Sequence, residues 1–231
     1  MGLREWLGRK LNPEAIPGWA SGIYQRAAQL AIDSYYAPLA QEIVTELGPG
    51  RILDVGTGPG YLPMEIAKRA PSITVVGIDA THKMIQLAYR QAKEQSLAGR
   101  LFFLVGNAYS LMFKDHSFDM VISTGVLHAW KEPVRALGEC YRVLKPGGVA
   151  WILDPAQILT RRNFLLWRRS LNWWEKVLYK VDSCLPSAGL PRRFSQQEVK
   201  DLLANTPFKD GKIEQRDGIA IKLKKRVRVG E

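Results

Sequence analysis

The feature that most constrains this chain is the run Asp54-Val55-Gly56-Thr57-Gly58-Pro59-Gly60. Three glycines at alternate positions suit neither a helix interior nor a strand interior, because glycine carries the largest entropic cost in both. They suit a tight turn. The residues before it, Arg51 to Val55, form a short apolar strand, and those after it read as a helix to about Arg69. A turn that leaves a strand and opens a helix points backbone N–H groups at whatever polar ligand lies there. Its spacing is G-x-G-x-G, not the G-x-G-x-x-G of dinucleotide sites. Asp54 stands two residues before the first glycine. A carboxylate there suits a ligand carrying an ammonium group and repels a pyrophosphate.

Downstream the same rhythm repeats. Strands are expected at Ile73 to Ile78, Leu101 to Val105, Met120 to Ser123 and Val149 to Leu153. Helices are expected from about His82 to Glu94 and from Pro133 to Leu144. Uninterrupted apolar strands alternating with helices predict a mostly parallel sheet covered on both faces. Asp79 closes the second strand, where its carboxylate can accept from two ribose hydroxyls.

Upstream, Leu3, Trp6, Leu7 and Leu11 share a helical face that ends at Asn12-Pro13, and a second helix is expected from about Gly22 to Leu47. Downstream, Ser195 to Glu198 has the form of a capping box. The tail, Lys212 to Val229, holds two strand-like runs. The last, Ile219 to Lys224, alternates and ends basic, as an exposed final strand does.

The chain has 231 residues, enough for a core that needs no disulfides, and 46% of them are apolar. Cys140 and Cys184 lack ligand spacing, and His82, His116 and His128 form no metal motif, so no metal site is expected. The cysteine usage points to a reducing compartment. The charged start Met1 to Trp6 does not read as a secretory signal, and no stretch reaches the ~18 apolar residues that span a bilayer. A cytoplasmic protein, with peripheral membrane contact left open, is the expectation. Net charge is +11, unevenly placed. Residues 1–160 carry 16 basic and 14 acidic side chains, and residues 161–231 carry 17 and 8. An anionic partner should meet the last third of the chain.

Taken together, Ile52 to Gly60, Gly77-Ile78-Asp79, Gly106-Asn107-Ala108, Ser117 to Ser123 and Tyr141 to Gly148 resemble the successive motifs of class I S-adenosylmethionine-dependent methyltransferases. The likeness covers about Tyr35 to Asp154 and is greatest to the subgroup with small-molecule and quinone methyltransferases. It implies a Rossmann-like α/β fold: a seven-stranded, mostly parallel sheet with helices on both faces, an antiparallel final strand and a helical lid after the fifth strand. The implied division is 1–47 as N-terminal helices over the cofactor site, 48–155 as the binding core, 156–205 as the lid and 206–231 as the closing strands. It also implies S-adenosyl-L-methionine as cofactor. Asp54, Gly56, Thr57, Gly58 and Gly60 would serve its methionine end, and Asp79 with Ala80 its ribose. Asn107 and the Ala108 N–H would serve the adenine. Asn107 departs from the pattern, since many relatives carry Asp there. Met84 either packs on the adenine or belongs to the helix core. Ser123, Thr124 and Gly125 complete the expected cofactor set.

On the acceptor side His128 is the candidate base, with a structural or orienting role as the alternative. Tyr35 and Tyr36 either close over the cofactor or are core aromatics, and Trp130, Trp167 and Trp174 are candidate substrate or lid residues. Phe164, Trp167, Leu171, Trp174, Leu178 and Val181 step along one helical face among arginines and lysines. Residues 161–181 therefore read as a lid, as a helix on an anionic membrane or, least favoured, as a nucleic-acid surface. The expected function is methyl transfer to a hydrophobic small molecule or lipid-like acceptor. A non-catalytic cofactor-binding protein, a nicotinamide-dependent oxidoreductase and a nucleic-acid methyltransferase are the alternatives.

Overall fold

The computed structural model describes residues 21–155, 161–173, 176, 194–215 and 218–227. The N-terminal helical segment divides into α1 (Ser21–Leu30), a π turn (Ile32–Tyr36) and α2 (Ala37–Leu47). The sequence predicts one continuous helix here. Pro38 explains the break: it cannot donate an N–H, and its ring crowds the carbonyl four residues earlier. The backbone widens just before it, so that the Tyr36 N–H bonds the Ala31 carbonyl at 3.2 Å and the Ala37 N–H bonds that of Ile32.

The rest follows as β1 (Gly50–Val55), α3 (Tyr61–Arg69), β2 (Ile73–Asp79), α4 (His82–Glu94), β3 (Leu101–Val105), β4 (Phe118–Thr124), α5 (Pro133–Val143), β5 (Leu144–Pro155), α6 (Arg161–Ser170), α7 (Gln196–Ala204), β6 (Lys212–Gln215) and β7 (Gly218–Lys224). The strands form one seven-stranded sheet in the order β3-β2-β1-β4-β5-β7-β6. The first five are parallel, and β7 runs antiparallel to both β5 and β6.

Period-two alternation sorts the strand residues into two cores. Ile52, Met120, Ile122 and Trp151 pack on one face, with Leu39, Ile43 and Ile66. Leu53, Val121, Ala150 and Ile152 pack on the other, with Leu137, Cys140, Val199 and Leu203. Helix α7, expected as part of the lid, thus belongs to the second core. Its capping box is present as predicted, with Ser195 Oγ accepting from the Glu198 N–H at 3.2 Å.

The final strand is not the exposed edge that its basic end implies. β7 lies between β5 and β6, with Ile219, Ile221 and Leu223 buried, and the short β6 (Lys-Ile-Glu-Gln) takes the edge. The basic end of β7 runs on beside the start of β5, where Lys225 exchanges backbone hydrogen bonds with Gly147 and Gly148. There the buried Lys225 Nζ donates to the Tyr141, Arg142 and Leu144 carbonyls at 2.8, 3.3 and 2.7 Å and caps α5.

Helix α6 ends at Ser170, and the backbone bends at Leu171, so the single long helix expected over 161–181 stops within its first half. Phe164 is half-buried and Leu171 buried. Of Trp167 only the backbone is described, and Trp174 and the stretch from 177 to 193 lie outside the described residues, as does the N-terminal helix expected over residues 3–11.

The sheet order reverses between β1 and β4, and that switch opens a crevice at the carboxyl ends of the strands. The glycine turn lies there. Gly77, in the neighbouring β2, has a packing reason to be glycine: a Cβ would stand 2.6 Å from Thr57 Oγ1 and 2.8 Å from the Phe103 ring. Gly77→Ala should destabilise the fold by about 1–3 kcal/mol, read as a lower urea midpoint with an unchanged slope.

Candidate cofactor and acceptor site

The glycine turn hangs from the end of β2. The Gly56 and Thr57 N–H groups both donate to the Ile78 carbonyl, at 2.8 and 2.9 Å. Gly56, Gly58 and Gly60 have φ of +79°, +53° and +80°, a region open to glycine and strained for other residues. Asp79 bridges the turn to its own strand end: Oδ2 accepts from the Gly58 N–H at 2.9 Å and Oδ1 from the Thr81 N–H at 2.8 Å. Each oxygen keeps a further lone pair for a ligand hydroxyl.

Asp54 is 2% exposed and accepts from Thr57 Oγ1 at 2.7 Å. No basic side chain pairs with it among the described residues. Burial pushes its carboxyl up to about 7, against the opposing pull of the Thr57 hydrogen bond, and the nearby charge of Asp79 adds to the rise. A buried carboxylate short of counter-charge fits a ligand that brings an ammonium group.

Two tyrosines from the N-terminal segment, Tyr24 and Tyr36, lie near these acids, and Tyr35 packs on Tyr36. The Tyr24 ring lies 3.5 Å from where a Gly58 Cβ would be. Burial and the charges of Asp79 and Asp54 push its hydroxyl up to about 12, although Tyr36 hydrogen-bonds to it. Tyr36 itself is raised by burial, by the two neighbouring tyrosines and by Asp54. Tyr35 is raised by burial and by the charge of Asp154, and its buried hydroxyl has no hydrogen-bond partner among the described residues.

A cleft opens beside the turn, lined by Gly56, Asp79, Ala80, Asn107, Ala108 and Trp130 from the expected set, and also by Tyr109, Val126 and Ala129. Asn107 Oδ1 accepts from the Tyr109 N–H at 2.9 Å, which shapes this wall and leaves one lone pair for a ligand. The Tyr109 hydroxyl accepts from the Lys131 N–H at 2.8 Å and ties the wall to the segment after Trp130.

The remaining expected residues do other work. Thr57, Gly58 and Gly60 build the turn without lining the cleft. Ser123 Oγ is buried and donates to the Val55 carbonyl at 2.7 Å, so its side chain joins β4 to β1. Gly125 turns with φ +71°, and its N–H bonds the Leu153 carbonyl at 2.8 Å. Met84 has no exposed surface and is not a cleft residue. Thr124 Oγ1 is buried without a partner among the described residues. His128 sits on a 3-10 turn (Leu127–Ala129) after β4, its ring against Asp154.

Sequence reasoning passed over Tyr24, Tyr109 and Asp154. For Tyr109 a local signal exists, because an Asn two residues earlier favours an Asx turn. Among the described residues no His, Cys, Asp and Glu group is placed to hold a metal ion.

Residues 53–152 match the family model described as a methyltransferase domain. Within those bounds the chain carries a methyltransferase domain. The chain is 37% identical over 139 residues to the ubiquinone/menaquinone biosynthesis C-methyltransferase UbiE of Dinoroseobacter shibae, covering 60% of this chain and 52% of that one. It is 28% identical over 214 residues to the demethylmenaquinone methyltransferase of Porphyromonas gingivalis, covering 85% and 84% of the two chains. Most matches are shorter: the chain spans between half and three-fifths of the length of the relatives from Dinoroseobacter shibae, Thermus thermophilus and Geotalea daltonii. In fold it resembles a candidate S-adenosyl-L-methionine-dependent methyltransferase of Methanococcus maripaludis, with a TM-score of 0.71 at 21% identity over 90% of this chain and 93% of that one.

Asp54 makes ligand-free stability depend on pH. Its folded value lies above the unfolded 3.8, so the unfolded chain holds fewer protons between about 4 and 7 and stability falls as pH rises through that window. Between pH 6 and 8 this group alone removes on the order of 1 kcal/mol. Asp54→Asn should be the more stable protein at pH 8 and should lack this part of the dependence, as read by urea unfolding at the two pH values.

Proposed function

We propose that this methyltransferase transfers the methyl group of S-adenosyl-L-methionine to a hydrophobic, quinone-like small molecule. The observation that carries the reading is the pairing of two acids over one glycine turn. Asp54 lacks a cation and Asp79 has lone pairs to spare, which suits a ligand with an ammonium group at one end and a ribose in the middle. When bound, the cofactor supplies a methyl group already made electrophilic by its sulfonium, so the protein's task is alignment and exclusion of water. In this reading the α1–α2 segment covers the cofactor with Tyr24 and Tyr36, and the Ala108 N–H with the Asn107 carbonyl meets the adenine. The apolar walls at Val126, Ala129 and Trp130 suit an aromatic acceptor. The names of the relatives, which act in quinone biosynthesis or on demethylmenaquinone, favour the same acceptor class.

The proposal extends to where such an acceptor is met. Among the described residues no helix is long and apolar enough to cross a membrane. Helix α6 turns Phe164 inward and packs on α1. Its other side exposes Leu165 and Leu166 among Arg161, Arg162, Arg168 and Arg169, and Trp173 follows at 64% exposure. Exposed leucine and tryptophan interleaved with arginine suit peripheral contact with an anionic bilayer.

Calorimetric titration with S-adenosyl-L-methionine should show binding that Asp79→Ala weakens tenfold or more, about 1.4 kcal/mol. Absence of binding to the unaltered protein would remove the methyl-transfer reading. In a second measurement, the protein should co-sediment at low salt with vesicles containing phosphatidylglycerol and not with vesicles of phosphatidylcholine alone. Replacing the four α6 arginines with serine should cut that binding at least tenfold, since each is worth about 1 kcal/mol near such a surface. Equal sedimentation with both lipids, or none with either, rejects the membrane contact.

A further inference from the structure

Next in chain to the cleft-lining Val126, Ala129 and Trp130, the 3-10 turn after β4 meets the end of β5 and brings together polar groups that the cofactor does not explain. Asp154, 6% exposed in its side chain, accepts twice from one residue: Oδ2 from the His128 backbone N–H at 2.9 Å and Oδ1 from His128 Nδ1 at 2.7 Å. The double grip fixes both the position of the imidazole and its rotation. It also fixes the tautomer, because a carboxylate can only accept, so Nδ1 carries the proton and Nε2 keeps its lone pair. The histidine side chain is 25% exposed, so the ring is not sealed in the core.

We propose that Asp154 is a positioning residue that presents His128 Nε2 as the proton acceptor for the methyl acceptor's ionisable group. The inference rests on the methyl-transfer reading above. The proton passes from the acceptor's hydroxyl or reacting atom to Nε2. The ring becomes imidazolium, its new charge is held by the Asp154 carboxylate, and nothing is oxidised or reduced. Two further buried hydroxyls belong to residues near these strand ends. Thr124 Oγ1, beside the β4 to β5 register pair Thr124–Leu153, is buried with no partner among the described residues, and so is the Tyr35 hydroxyl. Tyr35 also feels the charge of Asp154. A buried hydroxyl without a partner costs about 1–3 kcal/mol, and a ligand oxygen bound to it relieves that cost.

Asp154→Asn gives the test its sign. The His128 N–H still requires an acceptor, so the amide oxygen turns to it and the amide NH2 faces Nδ1. The imidazole must then accept at Nδ1 and carry its proton on Nε2, the wrong form for a base. Nitrogen-15 spectra of histidine-labelled protein, with no cofactor or acceptor present, report this directly, and His128→Gln assigns the signals among the three histidines. At pH 8.5 the unaltered protein should show the Nδ1–H form and Asp154→Asn the Nε2–H form. With a short-chain demethylated quinol as acceptor, Asp154→Asn should lower kcat by about 10²–10⁴-fold, with KM and cofactor Kd within about twofold. An Nε2–H tautomer in the unaltered protein overturns the proposal, and so does Asp154→Asn with unchanged kcat. Should that variant fail to fold, the tautomer of the unaltered protein still decides. If no acceptor is turned over at all, the methyl-transfer reading fails by itself, and the tautomer remains a separate result.

Discussion

The glycine turn has no hydrogen-bond ladder of its own, and its shape depends on the end of β2. The Ile78 carbonyl takes two of its N–H groups and the Asp79 carboxylate takes a third. β1 and β2 are in parallel register from Gly50–Ile73 to Val55–Ile78, so the turn's position follows directly from strand pairing. The missing Cβ of Gly77 lets Thr57 settle against β2, and Thr57 in turn holds Asp54. A change at any of these residues moves the others, because packed interiors have little slack. The site is therefore a property of the sheet's carboxyl edge more than of the loop's composition.

Charge is segregated along the same axis. Asp54, Asp79 and Asp154 each lie at the carboxyl end of a parallel strand, and Asp79 lines the cleft opened by the sheet's reversal. The chain as a whole carries +11, concentrated after residue 160. An acidic crevice in a basic protein favours a cationic ligand inside and an anionic partner outside, on the side of α6. The two preferences do not compete, because the acids are recessed and the arginines exposed, with water and salt screening the distance between them.

Much of the fold was legible because burial leaves a strong trace: each parallel strand holds a short apolar run, even the edge strand β3 with Phe102, Leu104 and Val105 exposed, and the helices between them carry one apolar face each. The capping box at Ser195 was equally plain. What escaped was decided by tertiary context. Alternation in Ile219 to Lys224 indicates two different faces, which a strand between two neighbours also has, so the pattern could not tell interior from edge. The stepping from Phe164 to Val181 described an apolar face, and α6 does bury part of it. The same stretch holds Leu165 and Leu166 on the other side, which a search for one stripe overlooks. Pro38 was visible, but the wide turn by which it divides the helix was not.

For the site, the sequence pointed to the glycine turn and to Asn107, Ala108 and Trp130 on the cleft wall, and passed over Tyr24, Tyr109 and Asp154. Asp54 and Asp79 were readable because each is an acid closing an apolar strand beside a glycine. Asp154 closes an apolar strand in the same way, but the glycine turn is a hundred residues back, and His128 is separated from it by all of α5. The missing information is the strand order. Once β5 is known to lie parallel beside β4, the end of β5 must face the segment that follows β4, and an acid at the one becomes a partner for a histidine on the other. Tyr24 needs a further step, since only the packing of the N-terminal helices across the sheet edge brings its ring to Gly58. Local pattern thus shows which strand ends bear chemistry, and topology determines which of them act together.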